Sequence, residues 1–185
     1  RHQRGGTLNG MRLRKSMTAA FAAAVFSAAA GSASAAESAD ALLAGCLTCH
    51  GDATRASLPG APALGAQPLD FLTIQLYMFR EKMRAVEPMT TLLKGMKDDE
   101  LKRLAASIAK LPAPAPNAEP ADAARVERAR ALVVQHRCNF CHNKDYSGQQ
   151  NVPRLAGQRE DYLLKALRDY KSNARRGYEI GRAHV

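Results

Sequence analysis

Cys46-Leu47-Thr48-Cys49-His50 and Cys138-Asn139-Phe140-Cys141-His142 are the two stretches on which the reading of this chain turns. Each places two thiols one helical turn apart, close enough to add to the two vinyl groups on adjoining edges of a haem, with an imidazole next in sequence to meet the iron. A single zinc site would require the two pairs to converge, and the separation of Cys49 from Cys138 is far outside zinc-module spacing. A thioredoxin-like redox pair needs a β-α-β context that neither stretch has. A structural disulfide would leave both histidines without a purpose. The residues therefore point to two covalently attached haems.

Working outward, the sequence after the first motif returns after the second. Gly60-Ala61-Pro62-Ala63-Leu64-Gly65-Ala66-Gln67-Pro68-Leu69-Asp70-Phe71-Leu72 lies over Asn151-Val152-Pro153-Arg154-Leu155-Ala156-Gly157-Gln158-Arg159-Glu160-Asp161-Tyr162-Leu163 at an offset of 91. The match runs on through Leu76 with Leu167, Phe79 with Tyr170 and Arg84 with Arg175. Such self-similarity marks two copies of one module. The stretch between them, rich in proline and without apolar periodicity, reads as an extended linker. The expected domains are 37–111 and 122–179, joined by a linker at 112–121.

Within each copy the expectation is a helix leading into the cysteine motif, a Gly/Pro/Ser loop, a middle helix and a closing helix. The first middle helix starts near Pro68 and carries Phe71, Leu72, Gln75, Leu76 and Phe79 at helical spacing, with Met78 and Met83 also on it. Its closing helix starts at Asp98-Asp99-Glu100 and runs through Leu101, Leu104 and Ile108 to Leu111, where Pro112 stops it. In the second copy the leading helix falls around Val126 to Val134 and the middle helix from Glu160 to Lys171. No closing helix follows. Strands find no place, so the fold class is all-α. Aromatic residues make up 5% of the chain and tryptophan is absent, which leaves two small domains short of core material. A buried macrocycle in each would supply it.

The formal charge of +10 invites a nucleic-acid reading, but five of the basic residues fall in residues 1–36 without a single acid. From 37 to 115 the signs balance at nine each, and the surplus lies in 116–179, with twelve basic against eight acidic residues. Without a basic cluster or stacking aromatics, no nucleic-acid partner is expected. Arg1 to Gly10 precede a start at Met11. Arg12, Arg14 and Lys15, the apolar stretch Met17 to Ala30 and Ala33-Ser34-Ala35-Ala36 form the pattern of a secretory signal, with cleavage before Ala36 or Glu37. The expected location is the periplasm, and the apolar stretch is too short for stable membrane insertion. Ile180-Gly181-Arg182-Ala183-His184-Val185 reads as a translated sequencing adapter rather than native protein.

From Ala41 to Glu179 the chain resembles the class I c-type cytochromes, and among them the two-haem proteins of the cytochrome c4 kind. The two Cys-x-x-Cys-His motifs and the Pro-x-Leu-x-x-Gln-x-x-Asp-aromatic-Leu pattern after each carry that resemblance. It implies two tandem cytochrome c domains wrapped around covalent haem c, the second of them incomplete. Cys46, Cys49, Cys138 and Cys141 would form the thioethers, and His50 and His142 would be axial ligands. Pro62 and Pro153 would offer backbone carbonyls to the Nδ1 protons of those histidines. A methionine would take the sixth iron position of each haem. Met89, in the loop after Glu87-Pro88, is the expected ligand of the first haem, with Met96 as the alternative. For the second, the offset carries Met89 onto Ile180, and no ligand is found. The implied function is single-electron transfer between respiratory redox proteins, a membrane oxidase or reductase among them, with no substrate chemistry. Alternatives are a cytochrome subunit of a periplasmic dehydrogenase or a two-haem peroxidase.

Overall fold

The computed structural model of the protein describes residues 40–52, 56–116 and 122–176. The expected leader, signal peptide, position 180 and adapter-like tail lie outside the described residues. Six helices follow a first one, α1, at residues 40–50: α2 (Leu69–Arg80), α3 (Met89–Leu92), α4 (Asp98–Ala109), α5 (Ala123–Gln135), α6 (Cys138–His142) and α7 (Glu160–Lys171). Among the described residues there is no strand, and extended pairing is confined to the isolated bridge Gln149 to Val152. The all-α fold class holds.

The ends of α2 and α4 are set by local chemistry. Pro68 stands just before α2, at its N-cap, with φ −59°, and contributes the Leu72 N–H acceptor at 3.0 Å. The α4 terminus is fixed by Glu100, whose carboxylate accepts the Lys97 N–H at 2.8 Å. Asp98, Asp99 and Glu100 place negative charge on its first turn, where the exposed N–H groups favour it. Arg80, leaving α2, donates to the Met96 carbonyl at 2.8 Å and to Asp98 at 2.7 Å, so it ties the end of one helix to the start of the other. Leu72, Leu76 and Phe79 of α2 meet Leu101, Leu104, Ala105 and Ile108 of α4 and Leu93 in one buried cluster. At roughly 1.5–3 kcal/mol per buried large side chain, this cluster is the main cohesive element of the first half.

The second half is built differently. No residue of α5, α6 or α7 is buried, and Leu132, Val134, Phe140, Leu164 and Leu167 are exposed. α5 is started by Asp122, whose carboxylate accepts the Arg125 N–H at 2.7 Å, a cap for one of the orphan donors of the first turn.

The two halves meet through a reciprocal contact. The Gln158 side chain accepts from Ala63 N–H at 2.8 Å and donates to Ala63 O at 2.9 Å. The Gln67 side chain accepts from Arg154 N–H at 3.0 Å and donates to Arg154 O at 3.0 Å. The repeat offset of 91 carries Gln67 onto Gln158 and Ala63 onto Arg154, so each copy uses the same glutamine to clasp the same backbone position of the other. That is the self-complementarity of a two-fold interface, realised within one chain. Asp161, bonded to the Gly60 N–H at 2.8 Å, and Arg159, bonded to the Ala56 carbonyl at 3.1 Å, add contacts on one side only. Of the Pro-rich stretch, Pro114 is buried and seats its carbonyl against Gly157, where a Cβ would come within 2.8 Å.

Candidate haem-binding sites

α1 runs unbroken through the first motif, so Cys46 and Cys49 sit one turn apart and His50 closes the helix. The second motif is reached otherwise. α5 ends at Gln135, Arg137 turns through the left-handed region at φ 54°, and Cys138–His142 form the separate short helix α6. All four cysteines are free thiols. Cys46 packs against the α2/α4 cluster, and burial pushes its thiol pKa up.

The two histidines share one geometry. His50 Nδ1 lies 2.8 Å from the Pro62 carbonyl, and His142 Nδ1 lies 2.8 Å from the Pro153 carbonyl. A carbonyl only accepts, so Nδ1 must carry the proton in both rings, and Nε2 is the nitrogen that keeps a lone pair for a metal. This is the orienting bond typical of a ligating histidine. His50 is buried, and desolvation lowers its pKa, which favours the neutral ligating form. The loops that close these contacts differ by one residue, twelve positions from His50 to Pro62 and eleven from His142 to Pro153.

Gly148 lies in the shorter of these two loops, and its role is not legible in the sequence. It has φ +74°, and a Cβ there would fall 2.5 Å from Arg154 N and from the Pro153 carbonyl carbon. A side chain would therefore displace the peptide that faces His142. Gly60, at the same φ, has nothing within 4 Å of such a Cβ.

The methionines separate as follows. Met89 begins the short helix α3 instead of lying in an open loop, because the Thr90 hydroxyl and Val86 backbone exchange hydrogen bonds at 3.1 Å and draw the chain into a turn. Met89 and Met96 are both half-buried against the α2/α4 cluster, on which Cys46 also packs. Met83 is not on the middle helix, which ends at Arg80; it follows Lys82, at φ 58°, and is exposed. His136 caps the C-terminal end of α5 and is exposed.

Among the described residues no three His, Cys, Asp or Glu side chains gather as a bare metal-ion site, so the two cysteine pairs do not combine into one. The donor set at each motif, two thiols and a histidine whose Nδ1 is already bonded, fits a haem joined by thioethers. Leu132 and Val134, on the helix before the second motif, and Phe140 within it are exposed large apolar side chains.

No protein-family model matches the chain. A cytochrome c4 of Thiocapsa roseopersicina is 29% identical over 137 residues, covering 70% of this chain and 71% of the relative. A thiosulfate dehydrogenase electron acceptor of Thiomonas intermedia is 28% identical over 151 residues, covering 77% of this chain and 70% of its own. Among solved structures, reduced recombinant cytochrome c4 from Pseudomonas stutzeri superposes with a TM-score of 0.67 at 25% identity, covering 76% of this chain and 82% of that one. The chain is similar to two-haem class I cytochromes of the cytochrome c4 kind. The reciprocal glutamine contacts join the two copies of the repeat, and the coarse function that these similarities support is that of a two-haem electron carrier. Among the described residues, no helix is long and apolar enough to cross a membrane.

Proposed function

We propose that the protein is a periplasmic carrier that passes single electrons between respiratory redox partners, with 37–111 and 122–179 as its haem-bearing modules. Cys46 and Cys49 hold one haem, and Cys138 and Cys141 the other. His50 and His142 are the axial ligands, oriented by Pro62 and Pro153, and Met89 is the sixth ligand of the first. Haem iron, when bound, supplies a one-electron couple that needs no proton or substrate. The observation that carries the reading is the histidine-to-proline-carbonyl bond, present at 2.8 Å behind both motifs despite unequal loops. Each bond fixes the tautomer and plane of its ring, so that little rearrangement accompanies a change of charge. The thioether of Met89, a weak donor, would favour the reduced state and raise the potential.

Replacing Cys46 and Cys49 together by alanine should remove one haem, seen as the halving of haem stain on a denaturing gel, while the second remains. Full stain in that variant would refute the assignment. A second reading, a cytochrome that serves one dehydrogenase as its dedicated acceptor, draws support from the relative in Thiomonas intermedia whose name describes such a role. Co-purification of a dehydrogenase from the periplasm at stoichiometric yield would favour it over a mobile carrier.

A further inference from the structure

We propose that Gln158 and Gln67 are positioning residues for the axial histidines, each acting on the histidine of the other half; this rests on the two-haem reading above. Pro62 and Ala63 share one peptide group, and that group is held at both of its polar atoms. Its carbonyl accepts from His50 Nδ1 at 2.8 Å, and its N–H donates to Gln158 Oε1 at 2.8 Å. The peptide of Pro153 and Arg154 repeats the arrangement, with His142 Nδ1 at 2.8 Å from the carbonyl and the N–H donating to Gln67 Oε1 at 3.0 Å. A chain of hydrogen bonds therefore runs from each imidazole, through one peptide, to a glutamine of the opposite copy.

Both glutamines are seated for that role. Each is 6% exposed, as deeply buried as the His50 ring. Each closes a second bond, from its Nε2 to the carbonyl of the same Ala63 or Arg154, at 2.9 and 3.0 Å, so neither amide can turn without losing both. The Arg159 N–H also donates to Gln158 Oε1, at 3.0 Å, and two N–H donors at one atom require that atom to be the oxygen. A peptide is a conjugated group. Donation by its N–H shifts electron density toward its oxygen, and hydrogen bonds in series strengthen one another in a site removed from water. The proline carbonyl becomes the better acceptor for Nδ1–H, and the imidazole the more basic donor at Nε2. A more basic nitrogen ligand stabilises ferric iron, so the glutamine of one half lowers the potential of the haem in the other.

The test uses the mature two-haem protein and spectroelectrochemical midpoint potentials, the first haem's midpoint being the one missing from Cys46→Ala/Cys49→Ala. Gln158→Met, of similar length but without the amide, should raise the first midpoint and leave the second; Gln67→Met should raise the second and leave the first. A seam that merely opens predicts the opposite sign, because water reaching a haem favours the ferric state. Gln158→Glu, which keeps an oxygen for the Ala63 N–H, should not raise the first midpoint. Midpoints that stay put in the methionine variants, that fall, that move together, or that shift in the haem of the variant's own half would overturn the assignment. If neither methionine variant matures, infrared difference spectra between oxidised and reduced states of the unaltered protein serve, recorded with and without isotope label in the glutamine side-chain carbonyls. A glutamine band that follows the oxidation state is expected, and its absence would overturn the proposal. Loss of covalent haem from the unaltered protein would sink the two-haem reading itself, a separate outcome read by intact mass.

Discussion

At Gly148 one absent Cβ decides where the carbonyl facing His142 can lie. Gly148→Ala meets both the positive φ and backbone at 2.5 Å, whereas Gly60→Ala meets only the positive φ. The Gly60 variant should lose about 1–2 kcal/mol, the ordinary cost of a left-handed alanine. The Gly148 variant should lose more and shift the midpoint of the second haem alone, as chemical denaturation and redox titration would show; equal losses would mean that the Pro153 peptide is not held there. Met89 supports a second expectation. Met89→Ala should abolish the weak sulfur-to-iron absorption band and lower the first haem's midpoint, and Met96→Ala should do neither; the reverse result transfers the role to Met96. At this scale the two Cys-x-x-Cys-His motifs stand out in the sequence because covalent haem attachment demands that fixed spacing. Pro62 and Pro153 came from family resemblance, since a backbone carbonyl leaves no mark on side-chain pattern. Gly148 was hidden in Ser147-Gly148-Gln149, a run that reads as any tight turn.

Between elements the contrast is of α4 with α5 and α7. α4 buries Leu101, Leu104, Ala105 and Ile108, and α5 and α7 bury nothing. Hydrogen exchange on haem-free protein should therefore find α2 and α4 protected and α5 to α7 exchanging freely, with all of them protected once haem is attached. Protection of α5 and α7 without haem would contradict the account. Leu104→Ala, at a site 1% exposed, should cost about 2–5 kcal/mol. The helix boundaries were largely readable. α7 spans the expected Glu160 to Lys171, and α4 stops at Ala109, two residues before the expected Leu111, as the last turn tightens to i→i+3 bonds at Lys110 and Leu111. Two features escaped. Arg137 in the left-handed region splits α5 from α6, and arginine carries no signal for that conformation. α3 is a four-residue turn stabilised by the Thr90 hydroxyl, too short for periodicity to reveal.

In the whole molecule the Gln67 and Gln158 clasps join the two copies of the repeat. Ala63 is 1% exposed, so Gln158→Ala would leave its buried N–H and C=O without partners, at about 1–3 kcal/mol per group. The double variant Gln67→Ala/Gln158→Ala should convert a single thermal transition into two; retention of one transition would show that other contacts join the halves. The duplication itself was visible in the offset of 91. That the aligned glutamines face across the interface was not, because a repeat reveals equivalence but not which copy a residue touches. The central claim, that each motif carries a covalent haem, is tested most directly by intact mass spectrometry of the protein matured in an oxidising compartment with haem supplied. The account predicts the mass of the mature chain plus two haems, retained after acid-acetone extraction, and a mass with one haem or none would contradict it.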